Sequence, residues 1–227
     1  MNFKKICIFD FETDGKKPEE CNPVQLAATI IDARKLNRVR GGKFITYMRP
    51  PGIEDRDTYL TDDIQETVNW HAKNYGCTSD DILEKWSEAP TQKHAWMDFV
   101  QFLDRFNPRK TMYTAPIPAG ANIRNFDLII CDRLNKLHNN SKSIFYARDR
   151  IDVIDLAFYW FESMEEPKSY SMDALRDFLG ISKEGGHDAF KDVDDCEQII
   201  RRFLKLHRKT AEKVEFRDSM KPQEVEV

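Results

Sequence analysis

The sequence predicts an α/β fold built on a mixed sheet. Three observations carry this: strand-like apolar runs crowd the first fifty residues, helical periodicity dominates afterwards, and one further strand candidate lies among the helices. With neither an internal repeat nor a linker-like stretch, residues 1–209 are expected to form one domain.

The elements follow in chain order. Residues 5–12 form an apolar run rich in β-formers, as a strand buried on both faces requires. Residues 24–32 (VQLAATIID) and 43–49 (KFITYMR) are the next two strands, and the glycines of NRVRGG between them suggest a hairpin, hence an antiparallel meander. RPPGIEDRDTY reads as a loop, and residues 62–75 and 78–87 as helices. In 91–106, Trp96, Phe99, Val100, Leu103 and Phe106 recur at helical spacing, an aromatic stripe suited to a core. Residues 111–117 suit a short strand, and helices are expected over 126–137 and 153–161. A short helix runs through SMDALRDFL, capped by Ser171 and ended by Gly180. The last helix spans about 188–207, and the charged, aperiodic residues 210–227 read as a polar tail.

Composition narrows the function class. The net charge of −4 provides no global attraction for nucleic acid or anionic membrane, so any such contact must be local or routed through cations. The five cysteines are scattered, odd in number and without a C-x-x-C pair, which argues against a disulfide framework and a cysteine zinc site. Reduced thiols in a cytoplasmic setting are the expectation. The basic start of the chain carries too short an apolar run for a signal peptide, and no later segment has the length of a membrane span.

Three acidic stations stand out. In ICIFDFETDG, strand alternation puts Asp10 and Glu12 on one side together with Ile6 and Ile8. Two like charges ending a core strand are opposed by desolvation and by repulsion, so they need a compensating positive charge. In GANIRNFDLIICDRL, Asp127 shares a helical row with Ile130, Cys131 and Leu134; taken alone, it reads as a helix N-cap. In GGHDAFKDVDDCEQII, Asp192 borders the apolar row of Ala189, Val193, Cys196 and Ile200. His187 and Asp192, five residues apart, fall on different helix faces, which places His187 on the loop after Gly185-Gly186, with Asp188 a possible cap.

In combination and in this order, the stations resemble the DnaQ-like (DEDDh) 3′–5′ exonucleases. The resemblance covers about residues 5–205 and extends to SMDALRDFLGI and to IDVIDLAFY, which puts Asp155 in an acidic position. It implies a ribonuclease H-like fold, a mixed five-stranded sheet flanked by helices. It further implies Asp10, Glu12, Asp127 and Asp192 as metal-ligating carboxylates and His187 as general base. Phe11, Thr13, Asn122 and Phe126 would contact substrate. The compensating charge would then be two Mg²⁺ ions, with Mn²⁺ as a substitute, clamping the scissile phosphate. The implied activity is release of nucleoside 5′-monophosphates from single-stranded 3′ ends, DNA favoured over RNA. The alternatives are an RNA-trimming exoribonuclease, a phosphohydrolase or endonuclease on the same fold, and an inactive nucleic-acid-binding module. Two positions depart from the family pattern: Asp14 replaces a frequent threonine, and Ala121 a frequent histidine.

Overall fold

The computed structural model describes residues 4–139, 149–186 and 188–214. Its centre is a five-stranded sheet made of β1 (Lys5–Thr13), β2 (Pro23–Asp32), β3 (Arg38–Tyr47), β4 (Ile117–Gly120) and β5 (Ile151–Asp152). The strand order is β3-β2-β1-β4-β5. β1–β2 and β2–β3 are antiparallel, β1–β4 and β4–β5 parallel, so the sheet is mixed, as expected.

Eight helices complete the described chain: α1 (Arg56–Tyr59), α2 (Asp62–Tyr75), α3 (Ser79–Glu88), α4 (Gln92–Asp104), α5 (Asp127–His138), α6 (Val153–Phe161), α7 (Met172–Leu179) and α8 (Ala189–Val214). The alternation of β1 divides the core into two layers. Cys7, Phe9 and Phe11 pack with Trp96, Phe99 and Leu103 of α4 and with Ile130 and Leu134 of α5. Ile6 and Ile8 face the other way, onto Val153 and Ala157 of α6, Leu175 of α7 and Val193, Ile199 and Ile200 of α8. A satellite cluster joins Val68 of α2 to Leu83 and Trp86 of α3. None of the described helices is long and apolar enough to cross a membrane.

Four boundaries differ from the sequence expectation. The glycines of NRVRGG lie inside β3, which starts at Arg38. Thr29 pairs with Lys43 and Ile31 with Arg38, so the intervening residues bulge, with Gly41 at φ 69°. The expected strand at 111–117 is a turn, because the Thr114 hydroxyl bonds back to Asn107 (2.5 Å) and to the Thr111 carbonyl (3.3 Å); the strand forms at 117–120 instead. There Gly120 is required, since a Cβ would approach the Phe9 carbonyl to 2.9 Å. One helical turn, α1, forms within the expected loop, with Asp55 accepting from the Thr58 backbone N–H. Finally, α8 continues through residues 210–214, where the tail was expected to begin, and residues 215–227 lie outside the described chain.

Candidate active site

Strand β1 delivers the first two acids. The row Ile6, Ile8, Asp10, Glu12 points to the α8 side of the sheet, and α8 brings Asp192 across to meet it. Asp10, Glu12 and Asp192 each offer a carboxylate oxygen, all within 4.8 Å of one another. At that spacing each charged pair repels by roughly 3 kcal/mol or more at an effective dielectric of about 20. Burial first, then the charges of Asp127, Glu12 and Asp192, push the Asp10 carboxyl well above the usual carboxylate range, with Arg176 pulling the other way. Glu12 is raised similarly, by burial and then by Asp192, Asp188 and Asp127. Burial and mutual repulsion thus oppose full ionisation of the cluster, and a bound cation would relieve both.

The fourth acid is placed differently from the cap reading of the sequence. Phe126 occupies the N-cap of α5 without a side-chain bond, and Asp127 opens the helix proper. Its carboxylate reaches across to β1, where Oδ1 accepts from the Phe11 backbone N–H at 3.0 Å. Asp127 is only 3% exposed, and burial raises its pKa to about 7 despite the backbone hydrogen bonds it accepts. It adjoins Asp10 electrostatically, yet among the described residues the tight triad is Asp10, Glu12 and Asp192.

His187 lies outside the described residues. Its neighbour Asp188 does cap α8: Oδ1 accepts from the backbone N–H groups of Phe190 (3.1 Å) and Lys191 (3.2 Å). Asp188 Oδ2 also accepts from Gln25 (3.2 Å), the residue opposite Glu12 in the β1–β2 register. The start of α8 is thereby tied to the strand pair that carries the acids.

Of the expected substrate contacts, Phe11, Thr13 and Phe126 line a cavity of about 510 Å³ beside Glu12. Trp70, 41% exposed, provides a further aromatic wall. Thr13 is only partly available, because its hydroxyl donates to the Gly15 carbonyl at 2.7 Å. Asn122 is exposed at φ 53°, accepts from the Asn125 side chain (3.0 Å) and is not part of this cavity's lining. Asp14, one of the two departures from the family pattern, is buried. It accepts from the Tyr59 hydroxyl (2.8 Å) and from Asn22 backbone and side chain, which locks the turn after β1.

Two acidic or basic groups near the site escape sequence reading. Asp155 pairs with Arg124 at 3.3 Å on the surface, both side chains about half exposed, whereas buried Asp152 adjoins Asp127. Asp152 caps α6 through Ile154 N–H (3.0 Å) and holds the Asn122 N–H at 3.0 Å. Arg176 is buried on α7 and donates to Asp173 (2.9 Å), Asp195 (2.8 Å) and Asp192. Its signal was available: Met172, Leu175, Arg176 and Leu179 form one helical stripe, with a charge in an apolar slot.

No family model and no curated protein matches the chain. Solved structures do. Escherichia coli exonuclease I in complex with a dT13 oligonucleotide superposes with a TM-score of 0.64 at 18% identity, covering 92% of this chain and 43% of that one. A zinc-bound complex of the same enzyme with single-stranded DNA gives 0.61 at 17%, with 91% and 43% covered. A 3′-exonuclease described for 3′-end recognition of the histone mRNA stem-loop gives 0.59 at 16%, with 90% and 83% covered. This chain thus spans less than half the length of exonuclease I and most of the histone mRNA enzyme. At these identities the likeness is one of architecture, and the five-stranded mixed sheet with helices on both faces is the ribonuclease H-like fold of these exonucleases.

Proposed function

We propose that the protein is a metal-dependent 3′–5′ exonuclease acting on single-stranded nucleic-acid ends, with DNA preferred. The observation that carries this reading is the convergence of Asp10, Glu12 and Asp192 to within 4.8 Å on a fold shared with exonucleases. An all-oxygen donor set whose mutual repulsion Arg176 offsets only in part fits hard divalent cations such as Mg²⁺ or Mn²⁺, two of them by the family resemblance. Asp10, Glu12 and Asp192 would hold the metal, with Asp127 completing the set beside Asp10. When bound, divalent cations would lower the pKa of the attacking water and stabilise the charge building on the phosphate.

The chain's own residues supply the rest. Trp70 and the half-buried Phe126 present aromatic surface beside Glu12, suited to stacking the terminal bases, whereas Phe11, 5% exposed, borders the cavity from the core. Stacking favours a single strand, because fraying a duplex end costs a few kcal/mol that a loose strand avoids. His187 would take the proton of the attacking water onto its imidazole, a role that suits its ordinary pKa. Attack breaks the P–O3′ bond and releases a nucleoside 5′-monophosphate. Neutralisation of the acidic cluster by cations lets a chain of net charge −4 accept a polyanion. The odd, scattered cysteines without a C-x-x-C pair fit a reducing, cytoplasmic location.

The test is side-by-side digestion of 3′-labelled single-stranded DNA, duplex DNA, RNA and circular single-stranded DNA, with Mg²⁺ or EDTA. Mg²⁺-dependent release of mononucleotides, fastest from linear single-stranded DNA, is expected. Cleavage of the circle would identify an endonuclease, faster loss of RNA an exoribonuclease, and binding without cleavage an inactive module.

A further inference from the structure

The acidic site has a cation of its own. Arg176 has a side chain 2% exposed and spends three of its nitrogens on three carboxylates: Nε on Asp195, Nη1 on Asp173 and Nη2 on Asp192. Asp195 is fully buried and shared with Lys191, at 2.5 Å. Asp173 is more than half exposed, so water could serve it. Asp192 is the partner that also faces Asp10 and Glu12. Arg176 thus holds Oδ1 of the same carboxylate that meets the other two acids. A planar fork fixed by three acceptors has little freedom left to lose, so it orients the carboxylate as well as neutralising it.

We propose that Arg176 is a positioning residue that acts as the resident counter-ion of the metal site, keeping Asp192 in place and the cluster folded before metal arrives. The inference rests on the reading of Asp10, Glu12 and Asp192 as metal ligands. Without the guanidinium, Asp192 loses a positive charge at contact distance while Asp10 and Glu12 stay within 4.8 Å of it, so a bound metal offsets more repulsion than in the wild type. Two effects on metal binding then oppose each other. Loss of orientation weakens it, and loss of a competing positive charge strengthens it. The second wins, because Asp10 and Glu12 stay fixed on β1 to receive the metal, whereas the charge removed sits at contact distance from Asp192. Folding of the variant therefore leans on metal more heavily than folding of the wild type does.

Thermal melts in EDTA and in saturating Mn²⁺ test this on wild type, Asp195→Asn, Arg176→Lys and the double variant Arg176→Met/Asp195→Asn. The double variant avoids orphaning Asp195, so Asp192 carries the readout. Its metal-free melting temperature should fall by roughly 6–12 °C, and its Mn²⁺-induced rise should be at least about twice that of wild type. Arg176→Lys keeps the charge and should show a rise close to wild type. If the double variant does not fold without metal, recovery of a cooperative melt on refolding with Mn²⁺ supports the proposal, and failure to recover overturns it. Equal Mn²⁺-induced rises in wild type and double variant would reduce Arg176 to a packing role and overturn it too. A wild type that Mn²⁺ does not stabilise, with no metal-dependent nuclease activity, would instead overturn the metal-site reading, and the inference with it.

Discussion

The Asp127 carboxylate, from the first residue of α5, accepts the backbone N–H of Phe11 at 3.0 Å, between the two acids of β1. One side chain therefore belongs both to the acidic cluster and to the sheet. The four carboxylates should not respond alike to removal. Glu12→Gln relieves repulsion and should melt at or above wild type in EDTA. Asp127→Ala leaves a buried N–H unsatisfied at a cost of about 1–3 kcal/mol, a fall of roughly 2–10 °C. Asp127→Asn keeps an acceptor and should recover most of that loss. All three should lose nearly all nuclease activity. Melting curves in EDTA alongside digestion rates check the set, and an Asp127→Ala protein as stable as wild type would dissolve the link to β1.

Metal-free stability should decline as pH rises toward neutrality. The Asp127 carboxyl has an ordinary value of 3.8 and is raised to about 7 in the folded protein. Between those values the folded chain holds a proton that the unfolded chain has released, so raising pH favours unfolding. Asp10 and Glu12 shift in the same direction and add to the effect. In EDTA the protein should melt lower at pH 8 than at about pH 5.5, and Mg²⁺ should shrink or reverse the difference because the metal needs the deprotonated form. A metal-free melting temperature that climbs steadily across this window would count against the buried cluster.

Trp70 should govern substrate affinity more than turnover. It is 41% exposed, packs edge-on against His71 (5.0 Å between centroids) and faces the cavity beside Glu12. Loss of one aromatic stacking partner costs about 1–3 kcal/mol, so Trp70→Ala should raise KM by about 5- to 150-fold with kcat far less affected. Steady-state kinetics on a short single-stranded DNA give both parameters. A collapse in kcat at unchanged KM would place Trp70 nearer the chemistry than the cavity suggests.

Substitution of His187 should separate proton transfer from metal binding. As a general base, its loss lowers turnover by roughly 10²–10⁴-fold, while Mg²⁺-induced stabilisation and DNA affinity stay near wild type. The acid limb of the wild-type rate profile, where activity rises as the imidazole deprotonates, should be absent from His187→Ala. Loss of metal stabilisation in that variant would make His187 a ligand.

The residues that follow local periodicity were legible in the sequence. Alternation placed Asp10 and Glu12 on the Ile6–Ile8 side, and the helical row placed Asp127 among Ile130, Cys131 and Leu134, all of which are buried. What escaped depends on distant partners. Nothing within α5 reports that Asp127 will bond Phe11, 116 residues earlier. The apolar stripe of α7 marks Arg176 as an inward charge, but only the fold brings its acceptors Asp192 and Asp195 on α8 to it. The family resemblance draws the eye to Asp155, which pairs with Arg124 at the surface, and only the fold shows that Asp152 points inward beside Asp127. β3 was misread at its start because a bulge and a hairpin both call for glycine.

The packing of α8 against β1 and β2 carries a consequence for how the protein comes into being. The triad joins residues about 180 positions apart, so its assembly waits on one of the longest loop closures in the chain. On the ribosome, Asp10 and Glu12 emerge early, but the acidic triad cannot assemble until Asp192 and the helix that carries it are made. The same helix covers one face of the sheet with Val193, Cys196, Ile199, Ile200 and Phe203. A chain halted or cut before it is therefore left with a partly uncovered apolar sheet, prone to aggregate, and with two acids that lack their third.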